Sequence, residues 1–371
     1  MPRVELFPFA EYWWFYAAFV AMVCVLLALD LGVFHRKAHD VSIKEAGIWT
    51  AVWIGLAAAF NVGLYFWLQH RLPLVERLMA IPGFDPDAAA RRTAIEFLAG
   101  YVMEKALSVD NIFVFVVVLN YFAIPAKYQH RVLFFGVLGA LVFRAIFIAI
   151  GALLIQYYWV VMIFGAFLVF TGIKMMTAKD TEVEPEENAL IRLFKRFIPV
   201  TNEMRGQSFF TVENGKRVAT PMFIALLFLE MTDIVFAVDS VPAIFGITQE
   251  PMIVFTSNIF AILGLRNLYF LLRGAIDRFH LLKYGLGIVL IFVGLKMTVL
   301  GRFFEGGHFP IEWSLAFIVA VLAISTALSL IYPPPAGKHR SLPLPLGSDL
   351  FMHKKGDGQP PAEPRGRKDD Q

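Results

Sequence analysis

Glu104, Lys105, Asp110 and Asn111 fall within "MEKALSVDN", residues 103–111, with the apolar runs "AIEFLAGYV" before it and "IFVFVVVLNYFAI" after it. A charge placed in hydrocarbon costs at least a few kcal/mol, so such residues are rare there and mark a substrate or ion path by default. A second constellation follows in "FLEMTDIVFAVDSVPAIFGIT", which holds Glu230, Asp233, Asp239 and Ser240. Arg144 and Arg266 also lie inside long apolar stretches, and Lys296 lies nearer a helix end, where a lysine can snorkel. The five acids Glu104, Asp110, Glu230, Asp233 and Asp239 outnumber the three bases Lys105, Arg144 and Arg266 by two charges. One divalent cation would neutralise that excess. All eight histidines fall in loops, tails or span ends, and the single cysteine, Cys24, sits in the first apolar run. An oxygen-dominated site of this kind suits Mg²⁺, Ca²⁺ or Mn²⁺ better than zinc or copper. Met103 and Met231 each adjoin an acid, and a thioether there would favour manganese; with 13 methionines in the chain, chance placement explains them as well.

The spacing of the acids constrains their geometry. At 100° per residue, Glu104, Ser108 and Asn111 share one stripe of a helix, and Asp110 lies roughly 120° away. Asp233, Ala237 and Ser240 share a stripe in the same way, with Asp239 off it. Either each helix feeds two faces, or it unwinds between its two acids. Both spans approach 30 residues (93–122 and 219–247), and Pro242 cannot donate to the Val238 carbonyl, which favours unwinding in the second.

Each residue also has a structural reading. Interhelical ion pairing is the expected role of Arg144 and Arg266, while Asn111 and Ser240 can bridge helices by hydrogen bonds. Asp30 is expected at the inner interface, and Glu96 as a vestibule charge or nothing. Intramembrane proteolysis would use two aspartates on different spans, as Asp110 and Asp239 are. Their contexts, "LSVDN" and "FAVDS", lack the flanking glycine of such enzymes, and the other acids would go unexplained. No catalytic residue is therefore assigned. A membrane scaffold for a stress-response complex is a third class.

The elements that must position these side chains are membrane helices. The chain of 371 residues is 58% hydrophobic and only 17% charged, against about a quarter charged in soluble domains. Nine segments are long and apolar enough to span, at roughly 12–34, 48–69, 93–122, 130–154, 157–177, 219–247, 251–273, 281–300 and 311–332. The N-terminus lacks the basic start of a signal peptide, so the first span is expected to be retained, with Tyr12, Trp13 and Trp14 as an interfacial belt. Placing the N-terminus outside puts 23 Lys and Arg on the inner side, counting Arg131, Lys174, Arg273 and Lys283 at the inner ends of spans, and 6 in outer segments. The positive-inside rule then places the C-terminus in the cytoplasm. A net charge of +3 makes no case for nucleic acid.

Between the spans, "ALIRLFKRFI" (189–198) predicts a helix lying on the membrane surface, after the acidic "KDTEVEPEEN". "FFTVENGKRV" predicts a hairpin turning at Asn-Gly. The chain also repeats itself. "FGAFLVFTGIKMM" at 164–176 matches "YGLGIVLIFVGLKMT" at 284–298, aligning Gly172 with Gly294 and Lys174 with Lys296 at an offset of 122. The same offset carries Arg144 onto Arg266. An offset of 129 carries Glu104 onto Asp233, Asp110 onto Asp239 and Asn111 onto Ser240. Three crossings per unit is an odd number, so the second copy is inverted, the architecture of secondary transporters.

The predicted fold class is an all-α polytopic membrane protein of about nine transmembrane helices, with an inverted repeat of two three-helix units. Its parts are two N-terminal helices (1–92), the first repeat (93–177), a cytoplasmic loop (178–218), the second repeat (219–300), a last helix (301–332) and a disordered cytoplasmic tail (333–371).

"MEKALSVDNIFVF", "NALIRLFKRFIPVT", "FLEMTDIVFAVDSVPAIFGIT" and "IVFTSNIFAILGLRNLYFLL" resemble the TerC/Alx family of integral membrane proteins, from about residue 12 to 332. The family belongs to a wider group of exporters built from inverted three-helix repeats, is named for tellurite-resistance loci, and has Alx-type members associated with alkaline pH and manganese export. The resemblance implies that Glu104, Asp110, Glu230, Asp233 and Asp239 carry the metal, with Asn111, Ser240, Lys105, Arg144 and Arg266 in support. It implies a bacterial inner-membrane exporter with Mn²⁺ as cargo, no resident cofactor, and the lipid bilayer as surroundings. The competing reading is a membrane component of tellurite or redox-stress resistance that moves no metal. Because metal binding to grouped carboxylates releases protons, export is expected to couple to inward proton movement. Glu230, whose counterpart is Tyr101, is the expected proton carrier.

Overall fold

Proline and small polar residues at the loop ends set where the helices begin. Ser42 caps one helix by accepting from the Glu45 amide at 3.2 Å. Asp85 caps another, accepting from the Asp87 and Ala88 amides at 2.9 and 3.1 Å, with Pro86 in the first helical position. The structure, a computed structural model, describes residues 5–30, 41–177, 199–201, 204–213, 215–303 and 309–332. The surface helix expected at 189–198, the acidic stretch before it and the proline-rich tail lie outside the described residues.

The elements in order are α1 (Phe9–Leu29), α2 (Ile43–Arg71), the single turn α3 (Glu76–Met79), α4 (Pro86–Tyr121), α5 (Ala126–Leu154) and α6 (Tyr158–Thr177). The strands β1 (Phe210–Glu213) and β2 (Lys216–Ala219) follow. Then come α7 (Pro221–Ile247), α8 (Pro251–Leu263), α9 (Leu265–Leu272), α10 (Leu282–Thr298) and α11 (Ile311–Ile331). The hairpin forms as its Asn-Gly signal predicts, antiparallel with Phe210 opposite Ala219 and Glu213 opposite Lys216. Gly215 supplies the left-handed φ of 76° at the turn.

Among the described residues, six helices (α1, α2, α5, α6, α7 and α11) are long and apolar enough to cross a membrane, and the bent pair α8–α9 makes a seventh. The two other predicted spans fall short for separate reasons. The 36-residue α4 carries Glu96, Glu104, Lys105 and Asp110, and α10 has only 17 residues. The chain is a mostly helical, multi-pass membrane protein. Its outward faces carry bare apolar side chains such as Trp13, Phe66, Phe170 and Ile324, while the interior holds the polar ones.

Both acid-bearing helices run unbroken, contrary to the unwinding expected from Pro242. The helix α7 passes through Asp233, Asp239 and Pro242 without interruption, and α4 passes through Glu104 and Asp110. Proline removes one backbone bond, and dense packing holds the rest: every residue from Ser240 to Ile247 is buried. The other arrangement applies, with each helix feeding two faces. The discontinuity lies elsewhere, at Gly264, where α8 and α9 meet at a 41° bend.

The first helix of each sequence triplet packs on the second helix of the other, α4 on α8 and α7 on α5. The third helices, α6 and α10, pack on one another through paired glycines. A Cβ at Gly165 would lie 2.8 Å from the Gly294 carbonyl oxygen, and one at Gly172 would lie 2.6 Å from that of Gly287. The pairing order reverses along the chain, so the helices run antiparallel. Only glycine permits backbones this close.

Candidate cation site within the membrane

The polar stripes read from helical spacing are buried as units. Glu104, Ser108 and Asn111 on α4 are 0%, 0% and 2% exposed, and Asp233, Ala237 and Ser240 on α7 are 3%, 0% and 2%. Asp110 and Asp239, off the stripes, are only partly buried. The two stripes meet on one side chain of α5. Arg144 Nη1 donates to Glu104 Oε1, to Ser240 Oγ at 3.1 Å and to Asn258 Oδ1 of α8 at 3.1 Å, while Nη2 lies 3.6 Å from Asp233 Oδ1. Asn258 Nδ2 in turn donates to Glu104 Oε2 at 3.4 Å. Three helices therefore converge on one guanidinium of a fourth, and its residue is 1% exposed. Its ion-pairing role matches expectation. Asn258 is a participant that sequence reasoning missed, although an amide in an apolar run is itself a signal.

Several acceptors remain. Asp233 Oδ2 and Glu230 Oε2 are both buried without a hydrogen-bond partner among the described residues. They belong to residues three apart on α7, which places them on one face. Glu230 lies flat against α5 where Gly139 has no side chain; a Cβ there would strike the carboxylate. Buried polar oxygens without partners are uncommon, and each asks for an explanation.

The other predicted residues lie apart from this cluster. Asp239 accepts from Thr171 at 3.5 Å and faces the Lys174 charge of α6. Lys105 donates to the Ala261 carbonyl oxygen at 3.0 Å. Arg266 bonds Asp30 at 2.6 Å, and both are buried, so Asp30 is an interior ion-pair partner rather than an interfacial charge. This pairing also separates Arg266 from its repeat counterpart Arg144, because α1 supplies its acid. Among the described residues no three of His, Cys, Asp and Glu converge as a ready-made metal cage.

At the expected outer end, Glu96 is buried and bonded to Arg92 at 2.9 Å and Thr248 at 2.6 Å. Glu250, in the loop between α7 and α8, accepts from the Leu6 amide at 3.0 Å. Burial, reinforced by the charges of Glu96 and Glu5, pushes its carboxyl up to about 7, against the opposing effect of backbone donors from Leu6 and Phe7.

Fold and site together define a multi-pass helical membrane protein with a carboxylate cluster held around one arginine. The sequence pattern of the integral membrane protein TerC family matches residues 89–335. The chain belongs to the TerC family. It is 48% identical over 329 residues to an uncharacterized membrane protein of Myxococcus xanthus, covering 88% of this chain and 95% of the relative. It is 41% identical over 312 residues to a protein of Escherichia coli K12 named "Putative membrane-bound redox modulator Alx", covering 84% and 92%. A protein of the same name from Photorhabdus laumondii is 38% identical over 317 residues, covering 85% and 94%. No solved structure matches the chain.

Proposed function

We propose that this TerC-family protein exports Mn²⁺ from the cytoplasm across the bacterial inner membrane, with its N-terminus outside and its C-terminus inside. The observation that carries the reading is the pair of buried, unpartnered oxygens, Asp233 Oδ2 and Glu230 Oε2, beside the Glu104–Arg144 pair. Glu104, Glu230 and Asp233 against Arg144 leave two negative charges, which a divalent cation neutralises. Hard oxygen donors match Mn²⁺ chemistry. Arg144 would stay paired with Glu104 while the ion binds at the free oxygens of Asp233 and Glu230, which brings the cluster to neutrality.

Alternating access would follow from nine crossings arranged as two inverted three-helix repeats. The reciprocal glycine contacts support this, since Gly165 meets Gly294, the counterpart of Gly172, and Gly172 meets Gly287, the counterpart of Gly165. A pseudo-twofold axis produces such exchanged contacts. Asp110 and Asp239, at matched positions outside the central cluster, would relay the ion. Glu230, lacking a counterpart, would carry the proton in the opposite direction.

The name of the Alx relatives, "Putative membrane-bound redox modulator Alx", favours a second reading, a role in redox stress without metal movement. Cellular manganese, measured with and without expression under manganese load, separates the two. Lower manganese on expression supports export, and unchanged manganese with retained stress protection supports the second reading.

A further inference from the structure

The break at Gly264 holds the Lys105 ammonium, apart from the hydrogen bonds of the carboxylate cluster. The last turn of a helix leaves carbonyl oxygens without backbone partners, and the helix dipole adds negative potential there. At the C-terminal end of α8, the Lys105 ammonium reaches across from α4 and donates to the Ala261 oxygen at 3.0 Å. Gly264 makes room for it: a Cβ there would lie 2.9 Å from Lys105 Nζ and 3.1 Å from Trp53 Cβ. The surroundings are buried and incompletely partnered. Asn267, in the first turn of α9, is 1% exposed with neither amide atom hydrogen-bonded, and the Trp53 indole nitrogen is likewise without a partner among the described residues.

The repeat sharpens the point. The offset of 129 places Ile234 where the first copy has Lys105, and the offset of 122 places Val142 where the second has Gly264. The helix α5 runs unbroken through Val142. The lysine is therefore present where the facing helix is broken and absent where it is continuous. Carbonyls at discontinuous membrane helices are a general means of binding small monovalent cations.

We propose that the Gly264 break binds a monovalent alkali cation, and that the Lys105 ammonium is a tethered occupant of that site which a soluble cation can replace. The site stands independently of the manganese reading, because it uses neither Glu230 nor Asp233 and is tested without transport. Purified Lys105→Ala protein in detergent is melted in choline chloride, NaCl, KCl and methylammonium chloride at equal ionic strength. The proposal predicts a saturable rise in Tm of roughly 2–4 °C with Na⁺, K⁺ or methylammonium over choline at about ten times the dissociation constant, and no such preference in wild type. Gly264→Ala, which displaces the ammonium without removing it, should acquire the same preference. Identical melting of both variants in all four salts would overturn the proposal and leave Lys105 a structural peg. Failure of both variants to accumulate even in cells grown with high Na⁺ would also overturn it, since the soluble cation would then not replace the ammonium.

Discussion

Replacing Arg144 by methionine removes the one cation shared by Glu104 and Asp233, which are 0% and 3% exposed. Breaking a buried ion pair from one side costs about 3–5 kcal/mol, because the remaining charge has no compensation. Ser240 and Asn258 each lose a charged donor as well, adding roughly 1 kcal/mol apiece where they find no substitute. The sum, on the order of 5 kcal/mol, is comparable to the whole stability of many folded domains. Arg144→Met should therefore yield little monodisperse protein after mild detergent extraction and size-exclusion chromatography. The triple variant Glu104→Gln, Arg144→Met, Asp233→Asn removes the stranded charges along with their partner, and should recover most of the folded yield. Wild-type yield and melting for Arg144→Met alone would refute the claim that this guanidinium compensates Glu104 and Asp233.

Four further outcomes follow from the geometry. Gly139→Ala should push the Glu230 carboxylate off α5 with little loss of folded protein, and should reduce manganese tolerance; unchanged tolerance would remove Glu230 from the path. Gly172→Val should lower folded yield, since even its Cβ would meet the Gly287 backbone oxygen at 2.6 Å, whereas Gly55→Ala meets nothing within 4 Å and should be neutral. Between its ordinary 4.5 and about 7, the folded chain holds a proton on Glu250 that the unfolded chain releases, so stability falls as pH rises through that window and levels off above it. Glu250→Gln should thus melt higher than wild type at pH 8, by an amount equivalent to about 1–3 kcal/mol after allowance for partial exposure, and match it near pH 5. Asp110→Asn and Asp239→Asn, at matched repeat positions, should each abolish manganese tolerance while remaining in the membrane, as membrane fractionation beside a growth assay would show.

Helical spacing alone separated Glu104, Ser108 and Asn111 from Asp110, and Asp233 and Ser240 from Asp239. The buried and half-buried positions follow that division. Local chemistry likewise placed the hairpin, because Asn-Gly selects its turn without help from the rest of the chain. The location of the helix break was not legible. Pro242 is the stronger local breaker, yet surrounding side chains hold α7 continuous, whereas the bend at Gly264 coincides with a lysine donated by a distant helix. The partner of Arg266 was equally hidden, since Asp30 lies 236 residues away in a helix outside the repeats. Sequence symmetry suggested equivalent roles for Arg144 and Arg266. Tertiary packing gives one to the carboxylate cluster and the other to α1.

The central claim is that manganese moves through the carboxylates gathered around Arg144. Its most direct test is Mn²⁺ flux in proteoliposomes carrying a metal-sensitive dye, comparing wild type with Asp233→Asn reconstituted to equal density. The account predicts saturable Mn²⁺ movement in wild type and none above protein-free liposomes in the variant. Flux at equal rates in both would place the path elsewhere, and wild-type flux no faster than protein-free liposomes would contradict transport itself.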